Sequence, residues 1–190
     1  MEKIELHQLR FSDDEFYSFC RQNDTLKFER EANGTIIVMP NTGGKTGKRN
    51  LKITMRLGIW NEKTQLGEAF DSSTAFRLPS TAVRSPDAAW IVRERWESLT
   101  EKEKEQFPPL CPDFVVELMS ATDDLQIAKN KMTNEWIANG CRLAWLINPQ
   151  EETNYIYRSN GEIQIVKGFD KTLSGEDVLP GFTLELKELR

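Results

Sequence analysis

The hydrophobic and polar positions of this chain follow strand-like alternation in several segments. Segments 26–31 and 35–39 flank Asn33-Gly34, a pair that tolerates positive φ and favours a tight hairpin turn, so the two segments are predicted to pair. Apolar runs or alternating apolar and polar residues predict further strands. These lie at 66–70, 74–78, 87–92, 114–119, 142–147, 154–158, 162–166 and 182–186.

Other segments have apolar residues at helical spacing. A capping-box pattern begins at Ser12 and precedes apolar residues three and four apart, which predicts a helix over 12–23. A short charged helix is predicted over 100–106. Apolar residues at helical spacing predict a longer helix over 123–139, and Gly140 is placed to end it as a C-terminal cap.

Segment 48–60, which follows a glycine-rich loop predicted over 40–47, fits both periods. Its apolar residues alternate strictly from Leu51 to Ile59, as in a strand. A helix also fits, because it would gather basic side chains on one face and apolar side chains on another. The pattern alone leaves both interpretations open. The basic residues are Lys48, Arg49, Lys52 and Arg56.

The length and composition of the chain suit one compact domain of the α/β class. Its 190 residues, 38% of them hydrophobic, can bury a core of ordinary size, so we expect a single domain over 1–190. No apolar run approaches the ~20 residues needed to span a bilayer, and the N-terminus lacks the apolar core of a signal peptide. We therefore expect a cytoplasmic protein with no membrane partner.

The composition gives poor support to several kinds of chemistry. Cys20, Cys111 and Cys141 are widely separated and form no C-x-x-C pair, which argues against a zinc site or a disulfide framework. His7 is the only histidine, so a histidine base is poorly supported. The net charge of −5 argues against a protein that coats nucleic acid through bulk electrostatics. An enzyme with a local basic groove remains compatible with it.

Two carboxylates carry the strongest chemical signal in the sequence. Asp87 opens one predicted strand and Glu117 lies inside another, and acids on neighbouring strands can share one hard divalent cation. Asp113 shares a strand face with Glu117, but four residues along a strand span ~13 Å, too far for one ion. The second acid must come from another strand, and Asp87 can supply it. For either acid alone, a turn or capping role is the alternative.

The order of these motifs resembles the restriction-endonuclease-like family within the PD-(D/E)xK nuclease superfamily. The resemblance covers about residues 12–160. Its most specific parts are Arg84-Ser85-Pro86-Asp87, Phe114-Val115-Val116-Glu117-Leu118-Met119-Ser120 and Trp136-Ile137-Ala138-Asn139-Gly140.

The resemblance implies a fold, a metal site and an activity. The implied fold is α/β, a mixed β-sheet flanked by α-helices, in which segment 48–60 is a helix. The implied site holds Mg²⁺, or Mn²⁺, through Asp87, Glu117 and the backbone carbonyl of Leu118. The implied activity is cleavage of DNA.

One position departs from the superfamily pattern, which has a lysine two residues after the glutamate. Here that residue is Met119, whose thioether carries no positive charge. The resemblance implies that the following helix supplies the lysine, with Lys131 the better match and Lys129 the alternative. The two lie about 200° apart around a helix, so only one of them can face the metal. The spacing from Lys131 to Trp136 is one residue longer than the resemblance implies.

Two further sets of charged residues have both a functional and a structural interpretation. Glu29 is a candidate extra acid at the metal site, or a partner of Arg30 or of a neighbouring surface charge. A group of basic residues can grip phosphates or can form a solvated helix face. That group comprises Lys45, Lys48, Arg49, Lys52 and Arg56.

Together these features predict a metal-dependent endonuclease that acts on DNA. Asp87 and Glu117 are the predicted metal ligands, Lys131 the predicted stabiliser of the charged transition state, and Glu29 an additional acid. The alternative is a catalytically inactive nuclease fold that binds nucleic acid or protein, with Met119 recording the lost activity. A homodimer would suit the cutting of two strands, although the sequence does not specify one.

Overall fold

The computed structural model describes residues 4–6 and 11–190, and His7 lies outside the described residues. The structure is mixed α/β, as predicted. Its strands are β1 (Ile4–Leu6), β2 (Lys27–Arg30), β3 (Ile36–Met39), β4 (Gly67–Asp71), β5 (Phe76–Arg77), β6 (Val83–Arg84), β7 (Ala88–Val92), β8 (Phe114–Leu118), β9 (Leu143–Asn148), β10 (Thr153–Arg158), β11 (Ile163–Lys167), β12 (Thr172–Ser174) and β13 (Thr183–Glu185). Its helices are α1 (Asp13–Gln22), α2 (Gly44–Thr64), α3 (Arg93–Glu97), α4 (Glu101–Glu105) and α5 (Leu125–Lys131), with a π-helical turn at Met132–Trp136 and 3₁₀ turns at Ile137–Asn139 and Leu186–Leu189.

Two sheets lie at the centre of the architecture. The larger has the order β11-β10-β9-β8-β7-β4, and it is mixed because β8 and β9 are parallel while its other pairs are antiparallel. Parallel neighbours need a crossover, and α5 with the turns that follow it supplies the one between β8 and β9. The second sheet has the order β1-β3-β2-β6-β5, and β12 and β13 form a separate pair.

Strand β8 is buried on both faces, which makes it the centre of the larger sheet. Phe114, Val116 and Leu118 pack into one apolar cluster with the inner face of α2. Val115 packs into a second cluster on the opposite face, together with Met119 just beyond the strand. This alternation of faces was predicted from the strand period, and it is confirmed.

Local sequence signals predicted most element types correctly. Ser12 caps α1 in a capping box, and Gly34 in the β2–β3 hairpin has φ of 92°. Gly140 ends the 3₁₀ turn with φ of 101°. The ambiguous segment 48–60 lies in α2, so the helical interpretation is the correct one.

Several boundaries differ from the prediction. Helix α2 begins at Gly44, because the N–H of Gly47 already donates to the carbonyl of Gly43, so the predicted loop over 40–47 is too long. The predicted strand over 74–78 shortens to Phe76–Arg77. Short elements without a full period of pattern were missed, namely β1, β6, α3 and β12.

Within residues 4–6 and 11–190, no helix combines the length and apolar character needed to cross a bilayer.

The close approach of β4 to β7 requires glycine at residue 67. A Cβ there would lie 2.0 Å from the carbonyl oxygen of Ile91 and 2.7 Å from the ring of Trp90. We expect Gly67→Ala to lower the free energy of unfolding by about 1–3 kcal/mol, because the buried strand and ring cannot both shift freely. At Gly47 the added Cβ would meet only Thr42 at 3.7 Å, so Gly47→Ala should stabilise α2 by about 0.5–1 kcal/mol. Urea unfolding of the two variants checks both values, and equal midpoints would contradict this account.

Candidate active site

Asp87 is positioned by the backbone of β8. The residue precedes β7, and its N–H donates to the carbonyl of Val116 at 3.0 Å. One carboxylate oxygen, Oδ2, accepts from the N–H of Leu118 at 2.7 Å. These two contacts bracket Glu117 on β8. The structure therefore brings Asp87 beside the strand that carries Glu117, as the sequence predicted.

The carboxylate of Glu117 accepts two hydrogen bonds on one oxygen. Its Oε1 lies 2.9 Å from Lys131 Nζ and 2.8 Å from Trp136 Nε1. The side chain is 16% exposed and Trp136 is fully buried, so these contacts form in a largely desolvated place. The orientation of Glu117 is thus set by the crossover segment that follows α5.

The π-helical turn Met132–Trp136 explains how that segment reaches Glu117. A π turn closes its hydrogen bonds between residues five apart, one more than an α turn. The sequence has one residue more between Lys131 and Trp136 than the resemblance implied, and this turn accommodates it. As a result, Lys131 at the end of α5 and Trp136 at the end of the turn both contact the same oxygen of Glu117.

The other residues considered for the site lie elsewhere. Lys129 Nζ stacks over the ring of Tyr155, 4.2 Å from its centroid, so Lys131 is the lysine that the structure brings to Glu117. Met119 is 5% exposed and packs in the core. The carboxylate of Asp113 accepts from the N–H of Val92 at 3.0 Å and pairs with Arg95, which is a structural role.

Glu29 is buried in a network of charges next to Lys131. It is 2% exposed, and its Oε1 accepts from the N–H of Ser85 at 3.0 Å and lies 3.6 Å from Lys131 Nζ. Its Oε2 lies 3.4 Å from Arg84 Nη1. Arg84 in turn forms two contacts with Glu135, one of them from Nη2 at 2.9 Å. Both oxygens of Glu29 are therefore engaged by neighbouring donors.

Arg30, the alternative partner predicted for Glu29, pairs with Asp13 instead. Arg30 lies 2.5 Å from a carboxylate oxygen of Asp13 and also donates to the carbonyl of Thr81.

Burial and neighbouring charges shift the pKa values of these groups in opposite directions. Burial raises the pKa of Glu117 to about 7, with the charge of Asp87 adding to the shift and Lys131 opposing it. Burial likewise raises the pKa of Asp87. Burial acts against the charged form of Lys131 too, but Glu117 and Glu29 outweigh it and raise the lysine pKa. For Glu29, the effect of burial is exceeded by Lys131 and Arg84, so its pKa is lowered.

The oxygen ligands available fit a hard divalent cation. Asn50 on α2 donates from Nδ2 to Asp87 Oδ1 at 2.6 Å, while its own Oδ1 is buried without a protein partner among the described residues. An unpaired buried oxygen beside a carboxylate is suited to a metal-bound water as donor. In the described part of the chain, no three His, Cys, Asp or Glu side chains are grouped to hold a metal. A cation here would thus depend on two carboxylates and backbone oxygen, a set that favours Mg²⁺ or Mn²⁺.

The acids line two adjoining clefts. Glu117, Leu118 and Lys131 line a cleft of about 420 Å³. Asp87 lines a neighbouring cleft of about 390 Å³, and Pro40 lines both. The cleft of Glu117 and the cleft of Asp87 therefore share Pro40 as a lining residue.

Comparison with known proteins gives the family and the fold of the chain. A family model described as "Uma2: Putative restriction endonuclease" matches residues 13–187. The chain belongs to the Uma2 family. A solved structure titled a "putative nuclease belonging to DUF820", from Anabaena variabilis ATCC 29413, has the same fold: the TM-score is 0.73, the identity 19%, and the match covers 94% of this chain and 97% of that one. No curated protein matches the chain.

In this Uma2 chain, the basic face of α2 has a role that the sequence did not predict. Four of its side chains donate to the segment 186–190, and none of the four lines the cleft of Glu117 or of Asp87. The contacts are Lys48 Nζ to the carbonyl of Arg190 at 3.2 Å, Arg49 Nε to that of Leu189 at 2.5 Å, Lys52 Nζ to that of Glu188 at 2.6 Å, and Arg56 Nε to the Glu188 carboxylate at 2.8 Å. These contacts give the four residues a structural role that neither prediction included.

Four residues around the site were missed by sequence reasoning. Arg84 stands in one of the motifs that carried the resemblance, but no role was assigned to it, and Glu135 directly precedes another of those motifs. Nothing in the pattern indicated that Asn50 would bond Asp87 or that the Trp136 indole would bond Glu117.

The buried pairing of Arg84 should dominate the stability of this Uma2 site. Its side chain is 5% exposed, and removing it leaves Glu29 and Glu135 without that cation. We expect Arg84→Met to lower the free energy of unfolding by about 3–5 kcal/mol. Arg77 pairs with Asp13 at the surface with a side chain 37% exposed, so Arg77→Met should cost less than about 1 kcal/mol. Urea unfolding measures both, and similar losses would show that the Arg84 network is not the stronger interaction.

Proposed function

We propose that this chain is a divalent-metal-dependent endonuclease that hydrolyses phosphodiester bonds in DNA. The observation that carries the proposal is the contact of Lys131 Nζ with Glu117 Oε1 at 2.9 Å in an open cleft, beside a strand to which Asp87 is hydrogen-bonded. Two acids and an ammonium group in one place are the groups that phosphodiester hydrolysis needs. Membership of a family described as restriction endonucleases supports the same activity.

The proposed metal ligands are Asp87, Glu117 and the backbone carbonyl of Leu118. Mg²⁺ or Mn²⁺ bound there would act as a Lewis acid and lower the pKa of a bound water. Glu117 Oε1 already accepts from Lys131 and Trp136, which leaves Oε2 for the cation. The Trp136 indole therefore acts as a positioning group that fixes the Glu117 carboxylate.

Lys131 is proposed to neutralise the negative charge that develops on the phosphate. Its pKa is raised by Glu117 and Glu29, so the ammonium form persists at neutral pH. Met119, at the position where the superfamily has its lysine, is buried in apolar packing and cannot do this. Lys131, at the end of the crossover helix and 2.9 Å from Glu117, is proposed to take this role instead.

Glu29 is proposed to position Lys131. The sequence suggested an extra acid at the metal, but both Glu29 oxygens are occupied by Ser85, Arg84 and Lys131. A carboxylate with those partners holds the lysine in place and keeps it charged. Its contribution to cleavage would be indirect.

Magnesium-dependent nicking of supercoiled plasmid DNA tests the proposal. We expect Glu117→Gln and Asp87→Asn to abolish nicking, and Lys131→Met to slow it by about 10²–10³-fold, because a charge-stabilising group is lost. Lys129→Met is the matched control, since Lys129 lies against Tyr155, and its rate should stay within about threefold of the native rate. Circular dichroism confirms that each variant is folded.

The pattern of rates discriminates between mechanisms. Nicking that survives Glu117→Gln would refute the proposed site. Equal loss in Lys129→Met and Lys131→Met would refute the assignment of the lysine. A folded native chain that binds DNA without cleaving it, with Mg²⁺ or Mn²⁺ present, would favour the inactive binding module, to which the buried Met119 also points.

Metal binding has a readout that does not depend on cleavage. A ligand bound only by the folded state raises stability, by about 2.7 kcal/mol at one hundred times its Kd. We expect Mg²⁺ or Mn²⁺ to raise the melting temperature of the native chain, and Glu117→Gln to lose most of that increase. Differential scanning fluorimetry with Ca²⁺-free buffers and an EDTA control measures it. An unchanged increase in Glu117→Gln would contradict the ligand assignment.

A further inference from the structure

An apolar stripe runs along the outer face of α2. Leu51, Met55 and Ile59 are spaced four residues apart and are 69%, 44% and 38% exposed. At 100° per residue they fall on one side of the helix, opposite the buried Ile53 and Leu57. These three large apolar side chains on one helix face remain partly exposed, and Leu51 also lines the cleft of Asp87.

We propose that this stripe is the contact surface for a second copy of the chain, with the two α2 helices packed antiparallel. Met55 lies midway between Leu51 and Ile59, so the apolar positions of the stripe stay the same when the direction of the helix is reversed. In an antiparallel pair centred there, Leu51 faces Ile59 of the second copy and Met55 faces its own counterpart. A twofold interface requires this self-complementarity.

The charges at the two ends of the stripe complete the match. Lys48 and Glu62 both lie on the same face as Met55, seven residues before it and seven residues after it. The antiparallel register therefore places Lys48 opposite Glu62 of the second copy, twice by symmetry. Gly58 borders the stripe, and a Cβ built there meets nothing within 4 Å, so a second helix can approach closely.

The basic flank of α2 does not oppose this pairing. Arg49, Lys52 and Arg56 lie beside the stripe, and each donates to the segment 186–190, so their charges are directed to carbonyl and carboxylate groups of their own chain. Lys48 also donates to this segment, to the carbonyl of Arg190 at 3.2 Å, but it stays exposed, and its ammonium group has further donors for Glu62 of a second copy.

The remaining exposed large aliphatic side chains lack this symmetry. Ile163 and Ile165 stand on the edge strand β11, Ile127 lines the cleft of Glu117, and Leu26 and Leu66 directly precede β2 and β4. None of these side chains lies on a helix face that carries two opposite charges, one before it and one after it at the same distance. They serve as controls for simple exposure of apolar surface.

The pairing would also bring the two candidate sites together. Asn50, which holds Asp87, lies five residues from Met55. At 1.5 Å per residue, the two Asn50 side chains would lie about 15 Å apart along the paired helices. The proposal about association does not depend on catalysis, because oligomeric state is measured without substrate.

A charge-reversal cycle tests the register. Sedimentation velocity over about 1–100 µM should show the native chain as a dimer, since a symmetric helix pair with a specific register forms a reversible complex in that range. Lys48→Glu and Glu62→Lys should each weaken dimerisation by about tenfold, because each places like charges opposite one another. The double variant Lys48→Glu with Glu62→Lys should restore it. Two weakened single variants without restoration in the double variant would overturn the register.

A second pair of variants tests the surface itself. Met55→Lys places two ammonium groups at the twofold axis, and we expect dimerisation to weaken by at least about 100-fold. Ile165→Lys, at a position on β11 that is 55% exposed against 44% for Met55, should leave dimerisation unchanged. Both substitutions are at exposed positions, and unchanged melting temperatures confirm that each variant is folded. A monomeric native chain, or a dimer disrupted by Ile165→Lys but not by Met55→Lys, would overturn the proposal.

Discussion

The ammonium group of Lys131, held between Glu117 and Glu29, is the interaction on which the candidate site depends. The surrounding cluster contains the cations Lys131 and Arg84 and the buried acid Glu29. Without those cations, the ionised carboxylate of Glu29 would be costly to bury. Its members come from β2, β6, β8 and the crossover after β8, so the charges join the two sheets at one point. The geometry of the site and the packing of the sheets are therefore consequences of the same contacts.

The π-helical turn after α5 is the local feature that lets this cluster form. If residues 125–139 formed a continuous α-helix, the side chains of Glu135 and Trp136 would be turned by one residue, about 100° around the helix axis, relative to Lys131. With the turn, Glu135 faces Arg84 and the Trp136 indole faces Glu117, while Lys131 keeps its place. Such turns are found frequently at functional sites, where the irregular backbone aims side chains that a regular helix would not.

Helix α2 connects the site with two other surfaces of the molecule. Its Asn50 holds Asp87, its basic flank holds the segment 186–190, and its outer stripe is open. These functions lie on different faces of one 21-residue helix. A change in the packing of α2 would thus act on Asp87 through Asn50.

What the sequence alone determined were the features set by near neighbours along the chain. The capping box at Ser12, the hairpin at Gly34 and the alternating faces of β8 depend on contacts within a few residues, and their patterns were sufficient. The pairing of Asp87 with the strand of Glu117 was also inferred, since the geometry of metal binding excluded an acid on the same strand.

Only the tertiary structure decided the rest. Segment 48–60 fitted two periods, and burial of Ile53, Leu57 and Trp60 against the larger sheet selected the helix. The resemblance favoured Lys131 over Lys129, and the contacts with Glu117 and Tyr155 show which of the two lies beside Glu117. The partners of Arg84 and of the α2 basic face lie between about 50 and 140 residues away along the chain. Contacts between residues so far apart produce no periodic pattern in the sequence. They depend on how whole helices and strands pack, and not on the spacing of residues within one element.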